Sequence, residues 1–175
     1  MPSRYHPLLV TLHWLLAIFI FGLLAAGTFV LAPTPNSDPG KLLSFQMHMG
    51  LGVTVLFLMV LRLAVRLTTR QPARAETGHP LLDRLARATH WALYVVAIAM
   101  ASSGLALSVA SGLPDAVFGT GTLPADFSEY PARQVHGFLA RALMALIALH
   151  VAAALWHQFI RGDGIFARIW RFWRR

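Results

Sequence analysis

Long apolar runs separated by short polar segments dominate the chain. Four runs cover about residues 8–31, 44–67, 88–111 and 135–160, and each is at least as long as the ~20 residues that a helix needs to cross a bilayer. The breaks between them are rich in proline and glycine, as at residues 33–40, and these residues end helices. The pattern predicts an all-α integral membrane protein. Residues 1–175 form a single domain, a four-transmembrane-helix up-down-up-down bundle.

A different pattern occupies the C-terminus, where aromatic and aliphatic residues alternate with arginines after Ile165. A short helix with this pattern places its apolar side in the membrane interface and its basic side against anionic headgroups. The pattern therefore predicts a short amphipathic interfacial helix over about residues 164–174, with membrane lipid as its partner.

Arginines also predict the orientation of the bundle. The segments 32–43 and 112–134 each hold one basic residue, Lys41 and Arg133, whereas residues 62–87 hold six arginines and the segment after Ile160 holds five. Since loops rich in lysine and arginine stay in the cytoplasm, we expect both termini and the middle loop to be cytoplasmic. The predicted location is the bacterial cytoplasmic (inner) membrane.

Composition narrows the candidate chemistry. Hydrophobic residues make up 57% of the chain and charged residues 13%, against about a quarter charged in soluble domains. The chain has no cysteine, which excludes disulfides, iron–sulfur clusters and thiolate zinc sites. The net charge of +8 does not indicate nucleic-acid binding, because the charge lies in short segments between apolar runs.

Histidines are the unusual feature of the apolar runs. His13, His48, His90, His136, His150 and His157 lie in or at the edges of the runs, and ionisable residues at membrane depth are functional candidates. The fourteen residues between the first and second histidines of the last run fall about 40° short of four full turns. Both histidines therefore face one way, about 21 Å apart, which indicates two sites stacked across the membrane.

The depths of the histidines in the membrane suggest which of them pair at each of the two sites. His48 and His136 both lie near the outer ends of their helices, whereas His13 and His150 meet near the inner side if a cofactor spans the gap. Two imidazoles on opposite sides of a macrocycle make a bis-histidine haem, which has no open iron position and so transfers electrons. Spacing alone leaves His90 or His157 open for the inner site. Bare metal is the rival, but two histidines without a carboxylate or thiolate make a poor metal site.

Arg141 lies about two turns into the fourth run. It is a candidate partner for an outer haem propionate, because a guanidinium binds carboxylates in a bidentate manner. Snorkelling to lipid headgroups is the alternative.

Several segments together resemble the bacterial cytochrome b561 family. They are residues 12–14 (LHW), 61–63 (LRL), 89–91 (THW) and 150–157 (HVAAALWH), followed by 161–164 (RGDG). The resemblance covers nearly the whole chain and implies a membrane protein with two haem b groups. The chain is similar to stand-alone members, some of which act as superoxide:ubiquinone oxidoreductases, and related b subunits serve hydrogenases and other dehydrogenases.

The resemblance also implies the iron ligands. Carried onto this chain, they are His48 and His136 for the outer haem and His13 and His150 for the inner haem, which decides the choice that spacing left open. Two positions depart from the family pattern: Met49 stands where many members have a basic residue, and Gln158 stands where many have a second histidine.

We hypothesise that the protein is an oxidoreductase in which electrons enter at the outer haem and reduce ubiquinone from the inner haem. His90 and His157 are the candidate catalytic residues, because imidazole exchanges protons near neutral pH. His157, Gln158, Trp14 and Trp91 are the candidate quinone-binding residues, although an interfacial aromatic belt would also explain the tryptophans.

The donor is left open by the sequence. Superoxide and a periplasmic electron-transfer protein are the candidates, and Lys41, Arg133 and Arg141 could attract an anion locally, although the outer loops are net acidic. One alternative function is a cytochrome b subunit that relays electrons for a partner dehydrogenase or hydrogenase, docked at residues 112–134. A second alternative is a structural membrane protein without haem.

Overall fold

The computed structural model describes residues 4–73, 78–165 and 167–170. These residues form helices and contain no strand. The α-helices are α1 (Pro7–Ala26), α2 (Gly40–Thr68), α3 (Pro80–Ala110), α4 (Leu113–Phe118), α5 (Pro131–Leu155) and α6 (Ala167–Trp170). Two π-helical segments, Gly27–Leu31 and Trp156–Arg161, continue α1 and α5 without a break.

Four of these helices are long and apolar enough to cross a membrane, which confirms the predicted fold class. With the π-helical segments included, the candidate spans are Pro7–Leu31, Gly40–Thr68, Pro80–Ala110 and Pro131–Arg161. Proline lies in the first turn of α1, α3 and α5, where its missing N–H costs no hydrogen bond. α3 begins at Pro80, ahead of the apolar run at residue 88, and α4 lies within the segment expected to be a loop.

Close packing joins α1 to α2, α2 to α3 and α3 to α5. Between the described backbones of α1 and α5, close approaches are sparse. A buried core fills the middle of the bundle and consists of Leu16, Leu23, Val55, Met59, Tyr94, Ala97 and Leu143. Large apolar side chains such as Phe21, Phe29 and Phe57 are exposed on the outside, as expected of a surface that faces lipid rather than water.

The bundle has two distinct ends. The arginine-rich end is where α1 and α3 begin and where α2 and the π-helical extension of α5 finish; it carries Arg62, Arg66, Arg84, Arg87 and Arg161. The loop end is the opposite end, formed by residues 32–39 and 111–130. There, the Asn36 side chain donates to the Pro124 carbonyl (2.7 Å), which joins the two connecting segments to each other, and Gln46 of α2 donates to the Val117 carbonyl (2.9 Å).

α6 lies at the arginine-rich end. Trp14 Nε1 donates to the Ile169 carbonyl at 3.0 Å, and Arg168 donates to the Ala73 carbonyl at 2.7 Å. The predicted interfacial helix over 164–174 is described only at Ala167–Trp170. Phe166 and residues 171–175 lie outside the described residues, as does Arg74 of the middle segment.

Candidate functional site

His48 from α2 and His136 from α5 face each other near the loop end. Their ring centroids are 6.4 Å apart and the ring planes are inclined at 78°. We call these two residues the loop-end pair. α2 and α5 occupy opposite corners of the bundle, so this pair spans its interior.

His13 from α1 and His150 from α5 form a second pair near the arginine-rich end, which we call the arginine-end pair. Their ring centroids are 6.2 Å apart and the planes are inclined at 74°. The ring of His90 is also close, with its centroid 5.2 Å from that of His150. The structure therefore brings three of the predicted site histidines together here.

Both pairs fit an iron porphyrin held from two sides. A metal–imidazole bond is about 2.0–2.1 Å long, which places the centroids of two imidazoles on opposite sides of one metal about 6 Å apart. The separations of 6.2 Å and 6.4 Å match this requirement, and the 5.2 Å between His90 and His150 is shorter. Among the described residues, no group of three or more histidine, aspartate or glutamate side chains is arranged to hold a bare metal ion.

The Nδ1 atom of His136 is anchored to α3. It lies 3.0 Å from the Met100 carbonyl and 3.1 Å from Ser103 Oγ, which itself donates to the same carbonyl. Since a carbonyl only accepts, Nδ1 of His136 carries the proton and Nε2 keeps its lone pair. A histidine that ligates a metal needs this arrangement, because the second bond sets the tautomer and the ring orientation.

His48 differs from its partner. Its Nδ1 atom is buried and, in the part of the chain that the structure describes, has no hydrogen-bond partner. Buried polar atoms of native proteins are normally paired, so this ring calls for a partner that the described polypeptide does not supply. An apolar cavity of about 280 Å³ lies beside His48, between α1 and α2, and its walls include Gly22, Ala26, Leu43 and Leu51.

A fourteen-residue interval recurs in three helices. It separates His136 from His150 in α5, His13 of α1 from Gly27 at the start of its π-helical extension, and His90 from Gly104 in α3. A Cβ atom at Gly27 would lie 3.4 Å from His48 Cε1, and one at Gly104 would lie 3.0 Å from His136 Cε1. A side chain at Gly104 would therefore crowd the His136 ring, whereas the distance at Gly27 is that of an ordinary van der Waals contact.

This contact gives a first prediction. We expect Gly104→Val to displace the His136 ring and to reduce haem retained at the loop-end pair, because overpacking of this kind costs about 1–3 kcal/mol. Gly50→Val is the matched control, since Gly50 is exposed and a Cβ there has no atom within 4 Å. Haem per chain and the thermal midpoint would be compared for both variants; equal haem content would contradict the role of Gly104.

Two arginines of α5, Arg133 and Arg141, lie close to Gly137. A Cβ atom at Gly137, the residue after His136, would lie 3.0 Å from an Arg133 nitrogen and 3.8 Å from an Arg141 nitrogen. Arg141 thus lies near Gly137 on the helix that carries His136, and its contact with a haem propionate stays a prediction. Lys41 is buried (6% exposed) and donates to the Thr34 carbonyl.

The remaining predicted site residues lie at the arginine-rich end. His157 sits in the π-helical extension of α5, where its Nδ1 is 2.6 Å from an oxygen of Asp163 and its ring packs against Trp156. His90 Nδ1 lies 2.6 Å from the Ala86 carbonyl. Gln158 is exposed, Trp14 donates to α6, and the Arg66 guanidinium lies 5.5 Å from the Trp91 ring centroid.

Asp163 carries a shifted carboxyl. Burial raises its pKa, but the hydrogen bond from His157, the Ile165 amide and the nearby charges of His157 and Arg161 lower it by more, so the pKa lies below its ordinary value. The carboxylate is thus ionised at neutral pH and accepts the Nδ1 proton of His157. Nε2 of His157 remains for another partner.

Sequence reasoning missed three features of this arrangement. It did not assign Gly27 to the loop-end pair, did not identify the Met100 carbonyl as the anchor of His136, and did not pair Asp163 with His157. The fourteen-residue intervals could have revealed Gly27, because they place it at the depth of Gly104 and His136. The anchor and the ion pair have no comparable signal in the sequence.

Known proteins resemble this chain over nearly its full length. The model of the family described as prokaryotic cytochrome b561 matches residues 4–172. Cytochrome b561 homolog 2 of Escherichia coli (strain K12) is 30% identical over 173 residues, which cover 96% of this chain and 92% of that protein. The probable superoxide oxidase CybB of Yersinia pestis is 26% identical, with 97% of each chain covered. Cytochrome b562 of Cereibacter sphaeroides is 25% identical, with 95% of each covered.

Proposed function

Because the chain belongs to the prokaryotic cytochrome b561 family of haem b-binding membrane electron-transfer proteins, we propose that it carries two haem b groups. It passes electrons from a donor at the loop end to ubiquinone near the arginine-rich end. The ligands are His48 and His136 for one haem and His13 and His150 for the other.

One observation supports this assignment above the others. Two imidazole pairs, each contributed by two different helices, have nearly equal centroid separations of 6.4 Å and 6.2 Å, the spacing needed for ligation of one iron from both sides. Because α5 supplies one member of each pair, fourteen residues apart, the two sites are about 21 Å apart along its axis.

Bound haem b supplies a one-electron carrier at each pair. The two histidine pairs would hold these groups at fixed heights in the bundle. Leu16, Val55 and Leu143 belong to the buried core of the bundle, which excludes water and its protons from the interior.

Quinone reduction requires protons as well as electrons, and the arginine-rich end offers imidazoles for this purpose. Asp163 binds His157 at Nδ1. The Nε2 atom on the other side of the ring therefore points away from the Asp163 carboxylate. His90 stands next to His150. A quinone becomes a quinol by taking up two electrons, one from each of two donor molecules, and two protons. In this proposal His157 delivers a proton to a quinone oxygen, and His90 is the second candidate for this role.

In this proposal the protein lies in the bacterial inner membrane with its arginine-rich end and both termini in the cytoplasm, because segments rich in arginine stay on the cytoplasmic side. Superoxide is the proposed donor at the opposite side. It loses one electron and leaves as dioxygen, so no proton or covalent step is needed there. The basic side chains of Arg133 and Arg141 beside Gly137 favour an anionic donor locally.

The test uses the purified full-length protein. We expect two haem b per chain, a reduced-minus-oxidised b-type spectrum, and quinone reduction on addition of superoxide. A colourless protein after expression with ample haem would overturn the proposal. Electron transfer that appears only with a partner dehydrogenase would instead support the subunit function.

A further inference from the structure

Two arginines of α2, Arg62 and Arg66, lie at the arginine-rich end and form no salt bridge with a carboxylate of the described residues. Arg62 is only partly exposed and donates to the carbonyl of Leu9, and its guanidinium lies 5.8 Å from the Tyr94 ring centroid. Arg66 lies 5.6 Å from the same ring centroid. The salt bridges seen in the described ranges join Asp163 to His157 and Arg161, and neither Arg62 nor Arg66 takes part in one.

A cation at this depth is costly unless it is compensated. A carbonyl and the face of an aromatic ring carry partial charges only, so they compensate a guanidinium incompletely. The cationic charge of Arg62 therefore requires an anion that the described chain does not supply.

Tyr94 adds a second observation in the same cluster. Its side chain is buried, at 6% exposed, and its hydroxyl lies beside Arg62 without a hydrogen-bond partner of adequate geometry. Since buried hydroxyl groups normally have a partner, this donor and the guanidinium indicate an acceptor in the same place.

The cluster lies next to the arginine-end pair. In α1, Leu9 precedes His13 by four residues, so the Arg62 guanidinium that binds the Leu9 carbonyl lies within about one helical turn of His13. An anion held by Arg62 would therefore lie beside the arginine-end pair.

We propose that Arg62 and Tyr94 bind a propionate carboxylate of the haem held by His13 and His150, and that Arg62 raises the reduction potential of this haem. The inference rests on the proposed function. A carboxylate takes two parallel hydrogen bonds from a guanidinium, and a fixed positive charge stabilises the reduced iron, which carries one charge less.

The experiment is a potentiometric titration of the purified holoprotein, followed by its visible spectrum. We expect Arg62→Gln to lower the equilibrium constant for reduction of one haem about tenfold, which corresponds to a reduction potential lower by about 59 mV for one electron. The potential of the other haem should not change. The shifted haem should be the one that remains when His136 is replaced. Arg70→Gln, which removes an equal charge from an exposed residue just beyond α2, should shift neither.

If Arg62→Gln does not retain haem, Tyr94→Phe and Arg62→Lys test propionate binding instead, by redox-difference infrared spectroscopy. A shift of the haem carboxylate bands in both variants supports propionate binding. If the variants keep two haems with unchanged reduction potentials and unchanged carboxylate bands, the inference is overturned and the proposed function is left intact. The same holds if the only change is a higher KM for quinone. Absence of haem from the wild-type protein would remove the proposed function itself.

Discussion

Replacing His136 with alanine is expected to halve the haem content, from two per chain to one. Bis-histidine iron needs both imidazoles, and the ring of His136 faces that of His48 at 6.4 Å between centroids. The arginine-end pair is about 21 Å away along α5, behind the buried core. Haem would be quantified per chain, and the reduced spectrum should keep the band of the remaining haem.

Three companion variants test the assignment. His48→Ala should give the same single-haem protein as His136→Ala, because the two rings belong to one site, whereas His13→Ala should remove the other haem. Added imidazole should restore the missing band in His136→Ala by filling the space of the lost ring. His79→Ala, which changes a residue just ahead of α3, should keep two haems. Loss of both haems in His136→Ala, without rescue by imidazole, would contradict independent sites.

Replacing His157 with alanine is expected to spare both haems and to slow quinone reduction about a hundredfold, within the 10²–10⁴ range that a general acid or base contributes. His157 lies seven residues beyond His150, so its loss leaves the arginine-end pair intact. Stopped-flow oxidation of the reduced protein by a soluble quinone analogue would measure the rate, with the haem spectrum recorded in the same experiment.

Asp163→Asn should give a smaller decrease in the same rate. The lowered pKa of Asp163 keeps its carboxylate ionised at neutral pH, so its interaction with His157 is lost only as the pH falls through that lowered value. Asp126→Asn, which alters a carboxylate at the loop end bonded to Ser128, is the control and should leave the rate unchanged. Loss of a haem in His157→Ala would show that the ligand assignment is wrong.

The sequence predicted the fold class because a lipid environment imposes a simple rule. Every backbone polar group must be satisfied within the membrane, so each long apolar run forms a helix. The same rule does not apply outside the lipid. That is why α4 and the early start of α3 at Pro80 were absent from the prediction: their residues are polar enough to leave no continuous apolar run.

The candidate site could be predicted only in part from the sequence. Helical periodicity placed His136 and His150 on one face of α5, because both belong to one helix with a fixed pitch. The assignment of His13, His48, His136 and His150 as iron ligands stays a prediction, and so do the roles of His90, His157, Gln158, Trp14, Trp91 and Arg141. The distances favour His13 over His90 as the partner of His150.

The sequence by itself determined that this protein has four spanning helices, an asymmetric charge distribution and histidines at two depths, since these properties follow from composition and spacing within single helices. Only the tertiary structure decided which residues from different helices meet. The contact of Gly104 with His136, the anchoring of His136 by the Met100 carbonyl and the approach of Arg62 to Tyr94 depend on helix rotation and offset. Side-chain packing between helices sets these quantities, and a periodic pattern along one chain does not contain them.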